Sequence, residues 1–335
     1  MISVVLCTHN GGGYVADQVQ SILSQVPAPG ELVLGDDASS DATVAIVENL
    51  VDRHRASGGR IELVVRRHDP ALGVVANFAD ALEHATGELI ALSDQDDVWR
   101  SGKLAAAVDA FEADPSLLLL HTDARLVDAA GAPLGMTLLT ALEVTAAERA
   151  GLEHGDAFAT LLRRNLVTGA TVVLRRELVA MAAPFPSGWV HDEWLAAIAS
   201  AAGTLRLLPE PLIDYRQHSA NQIGARRPTA ADRWAKLREP REPRATALVE
   251  RTSALISTLE RLGAAVPPER LGAARARLEH ERRRRDLPRV PIARIPRIVA
   301  AAARGDYARY SRGGIDVLRD LVQPAPRRSA ATLEP

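Results

Sequence analysis

The segment "ELIALSDQDDVW" (residues 88–99) contains an apolar run that breaks off into acidic residues. Its first half has the length and the composition of a buried β-strand. Asp94, Asp96 and Asp97 then follow within four positions. Carboxylates this close repel one another, so we expect a positively charged partner at the end of the strand. The segment therefore predicts a buried strand that ends at a charged site.

The first half of the chain alternates strands of this kind with amphipathic helices. Apolar or β-branched runs predict strands at residues 2–8, 31–37, 60–67, 88–94 and 117–127. Between the first two strands, Val15, Val19 and Ile22 recur at helical spacing, and further helices are predicted over 72–85 and 99–111. Such alternation is typical of a doubly wound α/β sheet with mostly parallel strands.

Three of the predicted strands end in polar clusters, which are "THN" at 8–10, "GDD" at 35–37 and "SDQDD" at 93–97. In doubly wound sheets, ligands bind at the carboxyl ends of the strands. A single cluster would be explained by a loop with helix-capping residues. Three clusters at the same edge of the sheet predict one shared binding site.

Several classes of protein are excluded or disfavoured by what the chain lacks. "NGGGY" (10–14) does not have the G-x-G-x-x-G spacing, and no G-x-x-x-x-G-K-[ST] occurs. Cys7 is the only cysteine, so no internal disulfide can form, which suits a reducing compartment. No run of about 18 apolar residues occurs, and the first residues lack the basic region of a signal peptide. We therefore expect a cytoplasmic protein, either free or peripheral on the inner face of the cell membrane.

The character of the chain changes near residue 226. Before it, strand-like segments at 169–178 and 204–218 flank a predicted helix at 191–203. Residues 226–335 are Arg-rich and helical in pattern, with 25 Lys+Arg and 13 Asp+Glu; this net +12 leaves −14 for residues 1–225. We predict an α/β domain over 1–225 and a basic helical extension over 226–335. Its alternating basic and apolar residues predict contact with anionic lipid, and packing on the α/β domain is the alternative.

The spacing of Asp94 and Asp96 predicts a metal site. In an extended segment, residues i and i+2 point to the same side, so both carboxylates can address one ion. Oxygen ligands favour Mg²⁺ or Mn²⁺, and substrate phosphates commonly complete the coordination of such ions. Asp97 is expected instead to cap a helix that begins near Trp99. The predicted partner of the acidic segment is therefore a divalent metal that carries a diphosphate.

Over residues 1–225 the chain resembles the family 2 glycosyltransferases. The resemblance rests on seven segments in order: "VVLCTHNGG", "VLGDDASSDAT", "LGVVANFADAL", "GELIALSDQDDVW", "NLVTGATVVLRREL", "HDEWL" and "YRQHSANQIG". It implies a GT-A fold with a doubly wound mixed sheet, and an inverting transfer from a nucleotide-sugar donor. More narrowly, the chain is similar to the rhamnosyltransferase-like branch, which builds cell-surface polysaccharides. That branch implies dTDP-L-rhamnose as the favoured donor.

The resemblance also implies which residues bind the nucleotide. Thr8 would contact the pyrimidine base, and Asp37, with Asp36 beside it, would accept a hydrogen bond from the base N3–H. Asp94 would lie near the ribose and the metal. Uracil and thymine both present the N3–H group, so a UDP-hexose is the alternative donor.

The resemblance assigns metal binding and catalysis to three other residues. Asp96 would ligate the metal, and His218 of "YRQH" would approach the metal or the diphosphate from the other side. Asp192 of "HDEWL" would be the catalytic base. The alternatives are a surface-loop histidine for His218 and a helix N-cap for Asp192. The family pattern usually has an acidic residue where this chain has His191.

The sequence thus predicts a metal-dependent transferase of the hexosyltransferase class, acting on a growing cell-surface polysaccharide or a lipid-linked glycan. A nucleotidyltransferase would need a Gly-rich loop that bears Lys, and "HNGGGY" has neither Lys nor Arg. A non-catalytic nucleotide-binding scaffold would be expected to lack Asp94, Asp96 or Asp192. Binding to nucleic acid is not expected, because the tail has no aromatic residues at stacking spacing.

Overall fold

The computed structural model describes residues 1–218, 235 and 238–324. These residues form two compact units. The first contains residues 1–161, 165–218 and 262–266, and the second contains residues 162–164, 235, 238–261 and 267–324. The domain boundary predicted between residues 225 and 226 lies outside the described residues.

The first unit is a sheet with helices on both faces. Its strands are β1 (Ile2–Thr8), β2 (Glu31–Asp37), β3 (Glu62–His68), β4 (Leu89–Asp94), β5 (Val98–Trp99), β6 (Leu117–Val127), β7 (Pro133–Thr137), β8 (Val172–Arg175) and β9 (Thr204–Arg216). Its helices are α1 (Val15–Leu23), α2 (Thr43–Ala56), α3 (Val74–His84), α4 (Lys103–Ala113), α5 (Leu138–Ala141), α6 (Ala146–Glu153), α7 (Ala157–Leu161), α8 (Glu177–Ala182) and α9 (His191–Ala202).

The strand order of the sheet is β3-β2-β1-β4-β8-β6-β9-β5, and β7 pairs with β6. Within the group β3-β2-β1-β4, every neighbouring pair of strands is parallel. β8 runs antiparallel to both β4 and β6, while β9 is parallel to β6. The doubly wound mixed sheet expected from the resemblance is therefore confirmed. Its four parallel strands end at one edge, where the predicted site residues are placed.

Strands β1 and β2 are buried because helices cover both faces of the sheet there, whereas the edge strand β3 is partly exposed. All seven residues of β1 are buried, and so are all seven residues of β2. Val19 of α1 belongs to the same core cluster as Val4 and Leu6 of β1. Helix α3 packs against β1 and β2. The carboxyl ends of these strands are therefore held by packing from two sides.

The helix predicted over 99–111 is present as α4 (Lys103–Ala113), but its predicted start near Trp99 is wrong. Val98 and Trp99 form the short strand β5, which pairs antiparallel with β9, and the helix that follows begins at Lys103. Asp97 does not cap this helix, because its carboxylate accepts a hydrogen bond from the backbone N–H of Arg216 at 3.0 Å. Pairing with a strand that lies far along the chain has overridden the local helical pattern.

The second unit is helical in its described residues. Its helices are α10 (Arg241–Leu262), α11 (Pro268–Arg285), α12 (Pro291–Ala303), α13 (Asp306–Tyr310) and α14 (Gly314–Val322). The helical extension predicted from the sequence is confirmed for this part of the chain. Among the described residues, no helix combines the length and the apolarity that crossing a membrane requires.

A buried carboxylate fixes the start of the central strands. Glu31 is 1% exposed and accepts hydrogen bonds from the Ser3 hydroxyl, from the Thr86 backbone N–H at 2.9 Å and from the Thr86 hydroxyl at 2.9 Å. The Ser3 hydroxyl in turn accepts from the backbone N–H of Gly87 at 2.7 Å. One side chain thus ties β1, β2 and the turn before β4 together.

Substituting Glu31 with Ala is expected to lower the free energy of unfolding by about 2–3 kcal/mol, because donors on Ser3 and Thr86 lose a charged acceptor. Glu62→Ala is the matched control: Glu62 lies opposite Glu31 in the parallel register of β2 and β3, but it is exposed. Its change should stay within about 0.5 kcal/mol. Urea unfolding monitored by circular dichroism measures both. Equal losses in the two variants would contradict the structural role of Glu31.

Candidate functional site

The carboxyl ends of β1, β2 and β4 lie side by side. Cys7 is in register with Asp94 of β4, and Thr8 is in register with Asp36 of β2. The three polar clusters of the sequence therefore meet at one edge of the sheet, as the parallel arrangement predicts. Cys7 itself is buried. The pKa of its thiol is raised by burial and by the nearby carboxylates, first that of Asp94.

Asp36 is a buried hydrogen-bond acceptor at this edge of the sheet. Its carboxylate accepts hydrogen bonds from the Thr8 hydroxyl at 2.7 Å, the Ser39 backbone N–H at 3.0 Å and the Ser39 hydroxyl at 2.6 Å. Asp36 is 3% exposed. These contacts join the end of β1 to the loop after β2. The structure thus places Thr8 and Asp36 together, in contact with each other.

Asp37 connects the end of β2 to the loop before α3. Its two carboxylate oxygens accept hydrogen bonds from the backbone N–H groups of Leu72, at 2.6 Å, and Gly73, at 2.9 Å. Gly73 has φ of +85°, a left-handed conformation that glycine adopts without steric cost. His9 contacts the backbone carbonyl of Asp37 at 2.6 Å through its Nδ1. The roles of Asp36 and Asp37 in binding a base stay predictions.

The loops after β1 and β4 are joined by a residue that sequence reasoning missed. The amide of Gln95 accepts from the backbone N–H of His9 at 2.8 Å and donates to the carbonyl of His9 at 3.1 Å. A Cβ on Gly11 would lie 2.3 Å from Gln95 Oε1. Gly11 is therefore required for the close approach of these two loops.

Gly11→Ala is expected to push the Gln95 amide out of its paired hydrogen bonds and to lower stability by about 1–2 kcal/mol. Gly13→Ala is the matched control, because a Cβ at Gly13 would meet nothing within 4 Å. Thermal unfolding of the two variants measures the difference. A melting temperature of Gly11→Ala equal to that of Gly13→Ala would contradict the proposed close approach.

Four carboxylates crowd the ends of β4 and α9. Burial, then the charges of Asp96 and Asp192, raises the pKa of Asp94 to about 7. Burial, then the charges of Asp94 and Asp96, raises the pKa of Asp97 well above its usual value. The charges of Asp96 and Asp192 thus disfavour ionisation of Asp94, and those of Asp94 and Asp96 disfavour ionisation of Asp97. The repulsion inferred from the sequence is therefore present in the folded protein.

Arg216 lies beside the acidic segment and pairs with Asp17 at 3.4 Å, and the sequence analysis did not assign it a role. Its guanidinium donates to the backbone carbonyl of Asp96 at 2.8 Å and to that of Ala129 at 2.9 Å. The guanidinium also lies over the ring of Tyr14 at 5.0 Å. Arg216 is 5% exposed, so its charge is buried next to the acidic segment. The only signal for it was its place in the "YRQH" motif at the end of β9.

Lys103 is a second buried cation near the carboxylates. Its Nζ donates to the carbonyl of Ala170 at 3.3 Å and lies over the ring of Trp99 at 4.9 Å. Burial lowers the pKa of Lys103 to about 7, and the charge of Asp97 opposes this shift. Part of the positive charge expected from the sequence therefore comes from the protein itself.

Asp96 and His218 meet, as the predicted metal site requires. His218 Nε2 lies 2.8 Å from Asp96 Oδ2, and the two side chains are only 10% and 15% exposed. The imidazole of His218 stacks on Tyr14 with ring centroids 4.7 Å apart. Within the described residues, no group of three or more His, Cys, Asp or Glu side chains is arranged to hold a metal. The pair fits an ion that takes two protein ligands and completes its shell with phosphate or water.

Asp192 lies at the start of α9. Its Oδ2 accepts from the backbone N–H of Gly169 at 2.7 Å, and its Oδ1 accepts from that of Glu193 at 2.6 Å. Burial nevertheless raises its pKa to about 6. The preceding His191 stacks on Phe78 at 3.8 Å, and burial lowers its pKa to about 3. His191 is therefore a neutral packing residue, whereas Asp192 is oriented by two backbone donors.

Residues 3–165, just under half of the chain, match the sequence model described as "Glycosyl transferase family 2". This region of the chain is similar to the glycosyltransferases of family 2. The chain is 27% identical over 227 residues to an uncharacterized protein of Mycobacterium bovis, a match that covers 65% of this chain and 59% of the relative. It is 32% identical over 104 residues to the glucosyltransferase WfgD of Escherichia coli, covering 31% of this chain and 38% of WfgD. The chain thus spans less than two thirds of the length of these relatives.

Among solved structures, the fold resembles that of S. aureus TarS 1-349 in complex with UDP-GlcNAc, with a TM-score of 0.56 and 17% identity. The alignment covers 84% of this chain and 72% of the TarS chain. At this identity the likeness concerns the fold. The GT-A fold implied by the sequence resemblance is therefore confirmed.

Proposed function

We propose that this protein is an inverting glycosyltransferase of family 2 that moves a sugar from a nucleotide-sugar donor to a glycan or a lipid-linked glycan. The observation that carries the proposal is the setting of Asp192. It is a half-buried carboxylate with a pKa near 6, it is oriented by two backbone N–H groups, and its charge raises the pKa of Asp94 at the strand ends. Perturbed carboxylates of this kind are characteristic of catalytic sites.

Asp192 is the general base in this mechanism. With a pKa of about 6 it is mostly ionised at pH 7, so it can accept the proton of an acceptor hydroxyl. The acceptor oxygen forms a bond to the anomeric carbon as the bond from that carbon to the diphosphate oxygen breaks. The nucleoside diphosphate leaves with the bonding electron pair. Because attack and departure occur on opposite faces, the anomeric configuration inverts and no covalent enzyme intermediate is needed.

The nucleotide is proposed to bind at the ends of β1, β2 and β4. Thr8 and Asp37 would contact the pyrimidine, with Asp36 holding the loop between them through its bonds to Thr8 and Ser39. Asp94 would lie near the ribose. Supporting this arrangement, these strand ends are adjacent in the parallel register. The two backbone bonds to Asp37 orient its carboxylate in advance of ligand binding.

A divalent metal, Mg²⁺ or Mn²⁺, is proposed as the cofactor, and Asp96 and His218 would hold it. When bound, such an ion neutralises the charge that develops on the departing diphosphate. Asp96 Oδ2 and His218 Nε2 are 2.8 Å apart, which supports the proposal that both bind the same ion. Arg216 keeps the Asp96 segment in place through its bond to the Asp96 carbonyl.

The favoured donor is dTDP-L-rhamnose, from the resemblance to the rhamnosyltransferase-like branch. A UDP-hexose is the alternative, and the name of the relative WfgD supports it, since that protein is a UDP-Glc-dependent glucosyltransferase acting on a diphosphoundecaprenol-linked sugar. A non-catalytic nucleotide-binding scaffold is the alternative of another class. Asp94, Asp96 and Asp192 are all present, which favours the enzyme.

Nucleoside diphosphate release from a panel of UDP-, dTDP- and GDP-sugars tests the function. We expect release from one donor, dependent on Mn²⁺ or Mg²⁺ and abolished by EDTA. Asp192→Asn should slow release by roughly 10²–10⁴. The rate of the unsubstituted protein should rise with pH through about 6, because the base must lose its proton.

Glu193→Gln is the matched control for Asp192→Asn, since it neutralises the neighbouring carboxylate of the same helix turn. It should retain the rate and the pH profile. If Glu193→Gln were the inactive variant instead, the base would be Glu193. Release from a UDP-hexose alone would replace rhamnose as the transferred sugar. Absence of release together with absence of UDP or dTDP binding in calorimetry would favour the scaffold.

Asp96→Asn is expected to weaken the metal-dependent part of nucleotide binding, because the amide is a poorer ligand than a carboxylate for a hard cation. Isothermal calorimetry with UDP or dTDP, in Mn²⁺ and in EDTA, measures this directly. Asp109→Asn, at an exposed position of α4, is the control and should bind as the unsubstituted protein does. Equal metal dependence in Asp96→Asn and Asp109→Asn would contradict the metal assignment.

A further inference from the structure

Helices α12 and α14 of the second unit each bury one apolar side. Ile298 and Ala301 of α12 form a small core with Leu287 and Tyr307. Val317 and Leu321 of α14 pack against this core. The two helices are therefore held together by these contacts. The contacts leave other large aliphatic side chains of both helices outside the core.

Helix α12 carries a second apolar stripe that faces solvent. Ile292, Ile295 and Val299 are exposed, with Ile292 at 74% and Val299 at 59%. Their i, i+3, i+7 spacing places them along one side of the helix. Val290, just before the helix, is also exposed. The stripe is thus continuous with the start of the helix.

Helix α14 repeats the arrangement with the same spacing. Ile315, Leu318 and Val322 are each about half exposed, at 51%, 48% and 49%. Single exposed aliphatics are ordinary on protein surfaces, but grouped ones mark contact sites. Two packed helices that both expose such stripes therefore present an unpartnered apolar surface, which we call the α12–α14 surface.

The exposed charges of this region have one sign. Between residues 287 and 324, the exposed charged side chains are all arginines: Arg289, Arg297, Arg304 and Arg309. Arg304 pairs with Asp306 at 2.8 Å, and Arg297, five positions after Ile292, lies on the other side of α12 from the stripe. Arg289 directly precedes Val290 at the start of the stripe. The three acidic residues of the same stretch are shielded, because the side chains of Asp306, Asp316 and Asp320 are only 15%, 2% and 2% exposed.

Internal partners explain why the acidic side chains are hidden. Asp320 accepts from Arg284 at 2.7 Å and from the hydroxyl of Tyr307 at 2.7 Å. Asp316 pairs with Arg319 at 3.0 Å and with Arg244 at 3.4 Å. The negative charge is thus neutralised inside the unit, and the surface is left positive.

We propose that the α12–α14 surface docks on an anionic lipid bilayer. Aliphatic stripes insert at the boundary between headgroups and acyl chains, while arginines contact the anionic headgroups. A second copy of the chain is a poorer occupant, because it would bring arginines against arginines. The inference does not depend on the proposed transferase activity, but it favours acceptors that are anchored in a membrane.

Flotation of the full chain with vesicles tests this inference. The protein should float with vesicles of phosphatidylcholine and phosphatidylglycerol, and should not float with phosphatidylcholine alone. Ile292→Ser with Val299→Ser should lose most of the binding. Arg289→Gln with Arg309→Gln should weaken it by about fivefold per arginine, as should high salt. All four side chains are exposed, so the fold should be kept, which thermal unfolding verifies.

Matched controls use exposed residues of the first unit. Leu134→Ser removes an aliphatic side chain that is 45% exposed, and Arg53→Gln with Arg60→Gln removes two exposed arginines. These variants should bind vesicles as the unsubstituted protein does. Absence of flotation, equal flotation with neutral vesicles, or unchanged binding of both surface variants would overturn the proposal. A dimer in light scattering that Ile292→Ser with Val299→Ser dissociates would assign the surface to a second copy instead.

Discussion

Burial of several carboxylates at one edge of the sheet is the constraint on which the first unit depends. Asp94, Asp97 and Asp192 all have raised pKa values because they are removed from water, and in the first two neighbouring carboxylates add to the effect. The protein places two buried cations beside these carboxylates. The charge of Lys103 lowers the pKa of Asp97, and the guanidinium of Arg216 donates to the Asp96 carbonyl. Arg216 comes from the end of β9 and Lys103 from the start of α4. The site therefore requires both halves of the sheet to be assembled.

Carboxylates of the first unit have different surroundings, and Glu31 and Asp192 show how the surroundings suit one to a structural role and the other to a catalytic role. Glu31, at the opposite end of the strands, accepts three hydrogen bonds from Ser3 and Thr86, and the carboxylate beside it in the register, Glu62, is exposed. Asp192 accepts from the backbone N–H groups of Gly169 and Glu193, and burial dominates its pKa. A carboxylate whose pKa is raised in this way is suited to taking up a proton, whereas Glu31 is suited to holding strands.

Charge is also divided between the two parts of the chain. Residues 1–225 have a net charge of −14 and residues 226–335 a net charge of +12. In the first unit, the carboxylates of Asp94, Asp96, Asp97 and Asp192 lie where a metal and a diphosphate are proposed to bind. In the second unit the described acidic residues of α13 and α14 are neutralised internally, which leaves arginines at the surface. The net charge of −2 for the whole chain is therefore the sum of two oppositely charged parts, which suit different partners.

The sequence by itself determined the alternation of strands and helices from β1 to β4 and the gathering of Thr8, Asp36 and Asp94 at one edge, because periodicity and strand polarity are local properties. Only the tertiary structure decided that Asp97 turns inward to the backbone of Arg216, 119 positions away. It likewise decided that Val98–Trp99 is a strand, and that Gly169 orients Asp192. These features depend on contacts between distant segments, whose free energy outweighs the local preference that a sequence displays.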